Sequence, residues 1–78
     1  MLTANFPNLM KDEIERAILK FKPINSIHEA KAIIEEELDE FWNEVKKYPY
    51  ANNQNLLQEL IQIATMCWRA ALDMELCE

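Results

Sequence analysis

The sequence predicts an all-α fold: a three-helix chain that completes an oligomeric helical bundle. Three observations carry this expectation. The chain of 78 residues has no glycine and one valine against many Glu, Leu, Ala, Lys and Ile, a composition that favours helix over sheet. Half of its residues are hydrophobic, whereas a chain this short buries only about 60% of its extended surface. Apolar residues recur at helical spacing in three separate stretches. The whole of 1–78 reads as one domain, with no internal repeat and no low-complexity segment.

The first helix is expected over about 8–21, after an irregular lead-in from Met1 to Pro7. Met10, Ile14, Ala17, Ile18 and Phe21 share one face. Asp12 and Glu13 stand early and Lys20 late, as the helix dipole prefers. Pro23 ends the helix, because the residue before proline avoids the α region.

The second helix is expected over 26–47. Ser26-Ile27-His28-Glu29 is a capping-box pattern, and Ile34, Leu38, Phe41, Trp42 and Val45 form one apolar stripe. The stretch Tyr48-Pro49-Tyr50-Ala51-Asn52-Asn53 has the chemistry of a turn. The third helix is expected over 54–76 and is apolar around more than half its circumference, which marks it as central. Three helices cannot cover it fully, so a homodimer or homotetramer with this helix at the interface is expected. Trp42, Trp68 and Cys67 read as packed groups on apolar stripes, and Cys77 as part of a fraying end. Cys67 and Cys77 are about 15 Å apart along one helix, too far for a disulfide within the chain.

Charge and composition exclude several functions. The formal net charge is −6 and the pI about 4.7. No basic face is visible for nucleic acid or for anionic membrane. No apolar run is long enough to span a bilayer, and the first residues lack signal-peptide character. A cytoplasmic, reduced protein is expected. The absence of glycine removes phosphate-binding glycine loops. Ser26 is the only serine and His28 the only histidine; a Ser-His-acid triad and a Cys67–His28 dyad have no support in the spacing. The CxxC and HxxxH spacings of zinc sites are absent.

Acid remains. Glu35, Glu36, Glu37, Asp39 and Glu40 crowd the second helix. Glu37, Glu40 and Glu44 fall on one flank of its apolar stripe, and Glu37 and Glu40 are neighbours at i and i+3. Such a block is a solvated acidic face or a clasp for a hard cation. Glu59 stands inside the apolar sector of the third helix, among Ile63, Met66 and Ala70. A lone carboxylate there is desolvated, unless it shares a cation with Glu37 and Glu40 or pairs with Lys or Arg. In an antiparallel pair of helices Glu40 and Glu59 lie within about 7 Å in height.

Glu36-Glu37-x-x-Glu40, eighteen residues, then Glu59-x-x-Gln62 resembles the MazG-type all-α nucleoside triphosphate pyrophosphohydrolases. That family carries E-E-x-x-E and E-x-x-D on two facing helices. The runs Asn25-Ser26-Ile27-His28-Glu29-Ala30, Glu37-Leu38-Asp39-Glu40-Phe41-Trp42 and Glu59-Leu60-Ile61-Gln62-Ile63-Ala64 are closest to its short phage-like and bacterial members. The likeness covers about two thirds of the chain.

The resemblance implies a bundle of the all-α NTP pyrophosphohydrolase type and a reaction that converts a (d)NTP to a (d)NMP and pyrophosphate with Mg²⁺ or Mn²⁺, for nucleotide-pool control. By position, Glu37, Glu40 and Glu59 match metal ligands. Glu36 matches the first acid, orienting water or a second metal, and Gln62 occupies the position of the family aspartate. Glu35-Glu36-x-x-Asp39 is a rival register. Gln62 offers a metal an uncharged oxygen. The missing charge, at about 4 Å and an effective dielectric near 20, is worth roughly 4 kcal/mol before desolvation. Asn25, His28 and Phe21 are candidates for contacting the nucleotide, against capping or packing roles. The alternative expectation is a non-catalytic module of the same kind that binds nucleotide, metal or another protein.

Overall fold

The computed structural model describes residues 5–76. They form three α-helices and, among the described residues, no strand: α1 Asn5–Lys20, α2 Ile27–Val45 and α3 Asn53–Asp73. α1 starts earlier than the sequence pattern indicated, so the expected lead-in over residues 5–7 is helical. Pro7 is accommodated because it stands in the first turn, where its missing N–H has no partner to lose. The rest of that lead-in, and Cys77, lie outside the described residues.

Ser26 caps α2: its Oγ accepts from the Glu29 N–H at 3.0 Å. Glu29 reaches back, but its Oε1 accepts from the Asn25 N–H at 2.7 Å, one residue before the usual partner of a capping box. Asn52 caps α3, its side chain accepting from the N–H groups of Gln54 and Asn55. α2 ends at Val45 and not at Lys47, because the chain tightens into i to i−3 bonds from Lys47 to Glu44 and from Tyr48 to Val45. α3 ends three residues before the expected Leu76. Glu75 takes the left-handed conformation (φ 57°), and the N–H groups of Glu75 and Leu76 bond back to the carbonyls of Leu72 and Ala71. This is a Schellman ending with glutamate where glycine is usual.

α3 is the hub. α2 packs against it antiparallel, with Ala30 and Ile33 near Ala70 and Met74 and Glu40 beside Glu59. α1 runs parallel to α3, Glu13 meeting Gln62 and Ala17 meeting Arg69. α1 and α2 do not pack on each other, which leaves a cleft between them floored by α3. Arg69, only 4% exposed, ties the assembly together. Its Nη1 and Nη2 donate to the carbonyls of Ala17 and Phe21 at 2.7 Å each, and its Nε donates to Asp73. Asp73 in turn accepts the Ile24 N–H at 2.8 Å. The open carbonyl of Phe21 is thereby satisfied, and the Ala17 carbonyl, which already accepts the Phe21 N–H, gains a second donor.

The core is thin. Ile14, Ala17, Ile24, Ala30, Ile61 and Ala70 are its buried apolar residues. Several residues expected inside are outside. Trp42 is 56% and Leu38 47% exposed, and Ile18 and Phe21 are also exposed. Cys67 is an exposed thiol, not a buried one. The physical reason is the same in each case: a helical stripe is buried only where a second helix lies against it, and α1 and α2 each meet α3 alone. Accessible surface is 5975 Å², against about 4,900 Å² for a compact monomer of this mass. The radius of gyration is 13.4 Å, against about 11.5 Å. Among the described residues no helix is long and apolar enough to cross a membrane.

Candidate metal centre and cleft

The antiparallel pairing of α2 and α3 brings three carboxylates to one place. One oxygen each from Glu37, Glu40 and Glu59 lies within 4.8 Å of the others. Around an octahedral Mg²⁺ adjacent oxygens are about 3 Å apart and opposed ones about 4.2 Å, so side-chain rotations that draw the carboxylates together would close the three on one ion. Glu37 and Glu40 share a face because they stand one turn apart. Glu59 joins them because the loop 46–52 is short and sets the helix register.

Glu37 carries the electrostatic stress of the group. Its Oε2 is shielded from solvent and has no hydrogen-bond partner. Burial first, then the charges of Glu40, Glu59, Glu36 and Glu13, push its pKa from 4.5 up to about 7. Glu59 is raised as well, by burial and by Glu40 and Glu44. A buried carboxylate oxygen without a partner is costly, and a proton or a cation removes that cost. The all-oxygen, all-carboxylate donor set suits a hard dication such as Mg²⁺ or Mn²⁺.

Glu44 stands on the same flank in sequence but is used otherwise. Its Oε2 accepts the Asn52 N–H at 2.8 Å and its Oε1 the Lys47 ammonium at 3.0 Å. The Asn52 bond first, then Lys47, holds its pKa below the ordinary value. It braces the loop that sets the register of the site. Of the rival set, Glu35 pairs with Lys31 at 3.0 Å on the open face of α2, and Asp39 is exposed.

Beside the carboxylates lies the α1–α2 cleft, a cavity of about 600 Å³. Glu37 belongs to both. Glu36 stands with it on the α2 wall, and Arg16, Lys20 and Lys22 line the opposite side. Ile24, Ile33 and Met66 contribute apolar lining. Gln62 lines the floor, its Nε2 donating to Glu13 Oε2 at 2.8 Å. Glu13 also accepts from Arg16 at 2.6 Å. Partial burial raises the Glu13 pKa, but the hydrogen bonds from Arg16 and Gln62 outweigh it and hold the carboxylate below its ordinary value.

The expected site residues therefore divide. Glu37, Glu40 and Glu59 converge, Glu36 stands at the adjoining wall, and Gln62 faces Glu13 from α1. Asn25, just before α2, and His28, in its first turn, are exposed and outside the cleft lining; His28 is about 14 Å of helical rise from Glu37, and Asn25, farther still, serves the cap. Phe21 lines the cleft rim. Sequence reasoning missed Glu13, Arg16, Lys20 and Arg69. The first three share a helical face with Ala17, at spacings of three, four and seven, but only the docking of α1 shows what that face looks onto. Compared with known proteins, the chain matches no family model, no curated protein and no solved structure.

Proposed function

We propose that the chain is a metal-dependent nucleoside triphosphate pyrophosphohydrolase, splitting a (d)NTP into a (d)NMP and pyrophosphate, and that it works as a homodimer or homotetramer. The single observation that supports this most is the convergence of Glu37, Glu40 and Glu59 next to a cleft, with one Glu37 oxygen buried and unpartnered. Glu37, Glu40 and Glu59 would hold Mg²⁺ or Mn²⁺. Such an ion, when bound, neutralises phosphate charge and acidifies a coordinated water. Glu36, on the cleft wall beside Glu37, would orient a water for attack on the α-phosphorus. The oxygen of that water bonds to phosphorus as its proton passes to solvent, the bridging P–O bond to the β-phosphate breaks, and pyrophosphate leaves.

Self-association is supported by the surface left uncovered. Leu38 and Trp42 on α2 and Leu57 and Leu60 on α3 are among the exposed apolar groups, and a second copy of the chain is the occupant.

Gln62 favours a second reading, binding without turnover. It adds no charge to the centre, and its amide nitrogen is committed to Glu13. Product analysis separates the two. A panel of ribo- and deoxynucleoside triphosphates with Mg²⁺ and Mn²⁺ should yield monophosphate and pyrophosphate, and Glu40→Gln should lower the rate at least 100-fold. Metal-dependent nucleotide binding with no product would establish the second reading instead. Neither binding nor product would leave an interaction module.

A further inference from the structure

We infer that the α1–α2 cleft is a polyphosphate site in which the α1 side, through Lys20 and Lys22 with Arg16 beside them, grips the phosphate chain of a metal–nucleotide complex. This deepens, and rests on, the pyrophosphohydrolase reading. It starts from a charge arrangement. Across about 600 Å³ of cleft, two acids of α2, Glu36 and Glu37, face Arg16, Lys20 and Lys22. The opposite walls do not pair with each other. Among the described residues Lys20 and Lys22 make no ion pair, and Arg16 pairs with Glu13 on its own helix.

A ligand that satisfies both walls carries both signs. A simple anion would meet Glu36 and Glu37, and a polyamine would meet the lysines. A dication held on Glu37, Glu40 and Glu59 and bridged to a triphosphate has positive charge at the acidic wall and negative charge at the basic one. A magnesium–triphosphate unit retains a net charge of about −2, which two unpaired lysines match. The apolar stretch of the cleft, Ile24, Ile33 and Met66 with Phe21 at the rim, offers a flat uncharged group such as a nucleobase a dry surface. The cavity is within the range that holds ligands of nucleotide size. α1 and the turn that follows it are then the arm that makes this small chain a polyphosphate binder, and the basic residues come from a segment that carries none of the metal ligands.

The test is calorimetric titration with inorganic tripolyphosphate, with and without Mn²⁺, and with Mn²⁺ alone. Wild type is compared with the double variant Lys20→Gln, Lys22→Gln and with Lys20→Arg, Lys22→Arg. Both lysines are exposed, and circular dichroism checks that the helices persist. The glutamine variant should bind Mn²⁺–tripolyphosphate roughly tenfold more weakly and show a flatter salt dependence by about two ions. The arginine variant should retain affinity, and Mn²⁺ binding alone should change less than about twofold in either. Equal tripolyphosphate affinity in wild type and the glutamine variant overturns the inference and leaves the metal centre standing. Lysine-dependent tripolyphosphate binding with no Mn²⁺ binding supports the basic wall and removes the metal centre. No tripolyphosphate binding under any condition overturns the inference outright.

Discussion

At the scale of the residue, Glu37 concentrates the chemistry of the chain. It lines the cleft, belongs to the carboxylate cluster and leaves one oxygen unpartnered. Its folded pKa of about 7 lies above the ordinary 4.5. Between those values the folded chain holds a proton that the unfolded chain has lost. Its contribution to stability is therefore fully present below pH 4.5 and is lost as pH rises through about 7. Glu59, raised as well, acts in the same direction. Glu13 and Glu44 are lowered. What they add is present above pH 4.5 and lost in more acidic solution, so the two effects occupy different windows. The charges that raise Glu37 are those of Glu40 and Glu36 from α2, Glu59 from α3 and Glu13 from α1, while Arg16, Lys20 and Lys22 lie across the cleft. In chelator the melting temperature should fall from pH 5 to pH 8. Added Mn²⁺ should raise it, by an increment that grows with pH, because binding displaces the proton. Glu37→Gln should flatten the metal-free slope. A metal-free melting temperature that climbs through pH 7 would contradict this account of Glu37.

At the scale of the element, the chain is an α2–α3 hairpin with α1 attached by the buried Ile14 and Ala17 and by a set of polar groups. The hairpin register is braced by Glu44 on the loop, and it alone brings Glu59 to Glu37 and Glu40. α1 is held by Arg69, which bonds the carbonyls of Ala17 and Phe21, and through Asp73, which bonds Ile24. Arg69→Met preserves bulk but leaves the Phe21 carbonyl without a donor and takes one donor each from the Ala17 carbonyl and Asp73. It should cost about 3 kcal/mol or more, which is much of the stability of a domain this small. Arg69→Lys should rescue little, since a single ammonium cannot reach three acceptors held in a planar fork. Denaturant titration reads both losses, and an undiminished midpoint in Arg69→Met would refute the clamp. Hydrogen exchange should show α1 released before the hairpin opens.

At the scale of the whole molecule, the surface and radius exceed those of a compact monomer, and apolar side chains remain in water. Assembly with a second copy is the expected remedy. Analytical ultracentrifugation at micromolar concentration should find a dimer or tetramer. Trp42→Glu or Leu60→Glu should shift it toward monomer while leaving helical content nearly unchanged. A wild type that sediments as a monomer at high concentration would remove the assembly from the proposed function.

The sequence by itself determined the three helices and the cap at Ser26, and it put Glu37, Glu40 and Glu59 forward as a group; the Asn52 cap on α3 appeared only in the structure. Helical period, capping chemistry and a misplaced Glu59 are local signals, written over a few residues each. It did not determine which stripes are buried. Trp42 and Cys67 share the pattern of packed residues, and their exposure follows from the absence of a neighbour within the chain. Nor did it reveal the clamp at Arg69, the bond between Gln62 and Glu13, or the cationic side formed by Arg16, Lys20 and Lys22. Those depend on where α1 docks, parallel to α3 and apart from α2. That docking is set by hydrogen bonds between residues 48 to 52 positions apart, a separation at which no periodic pattern carries information.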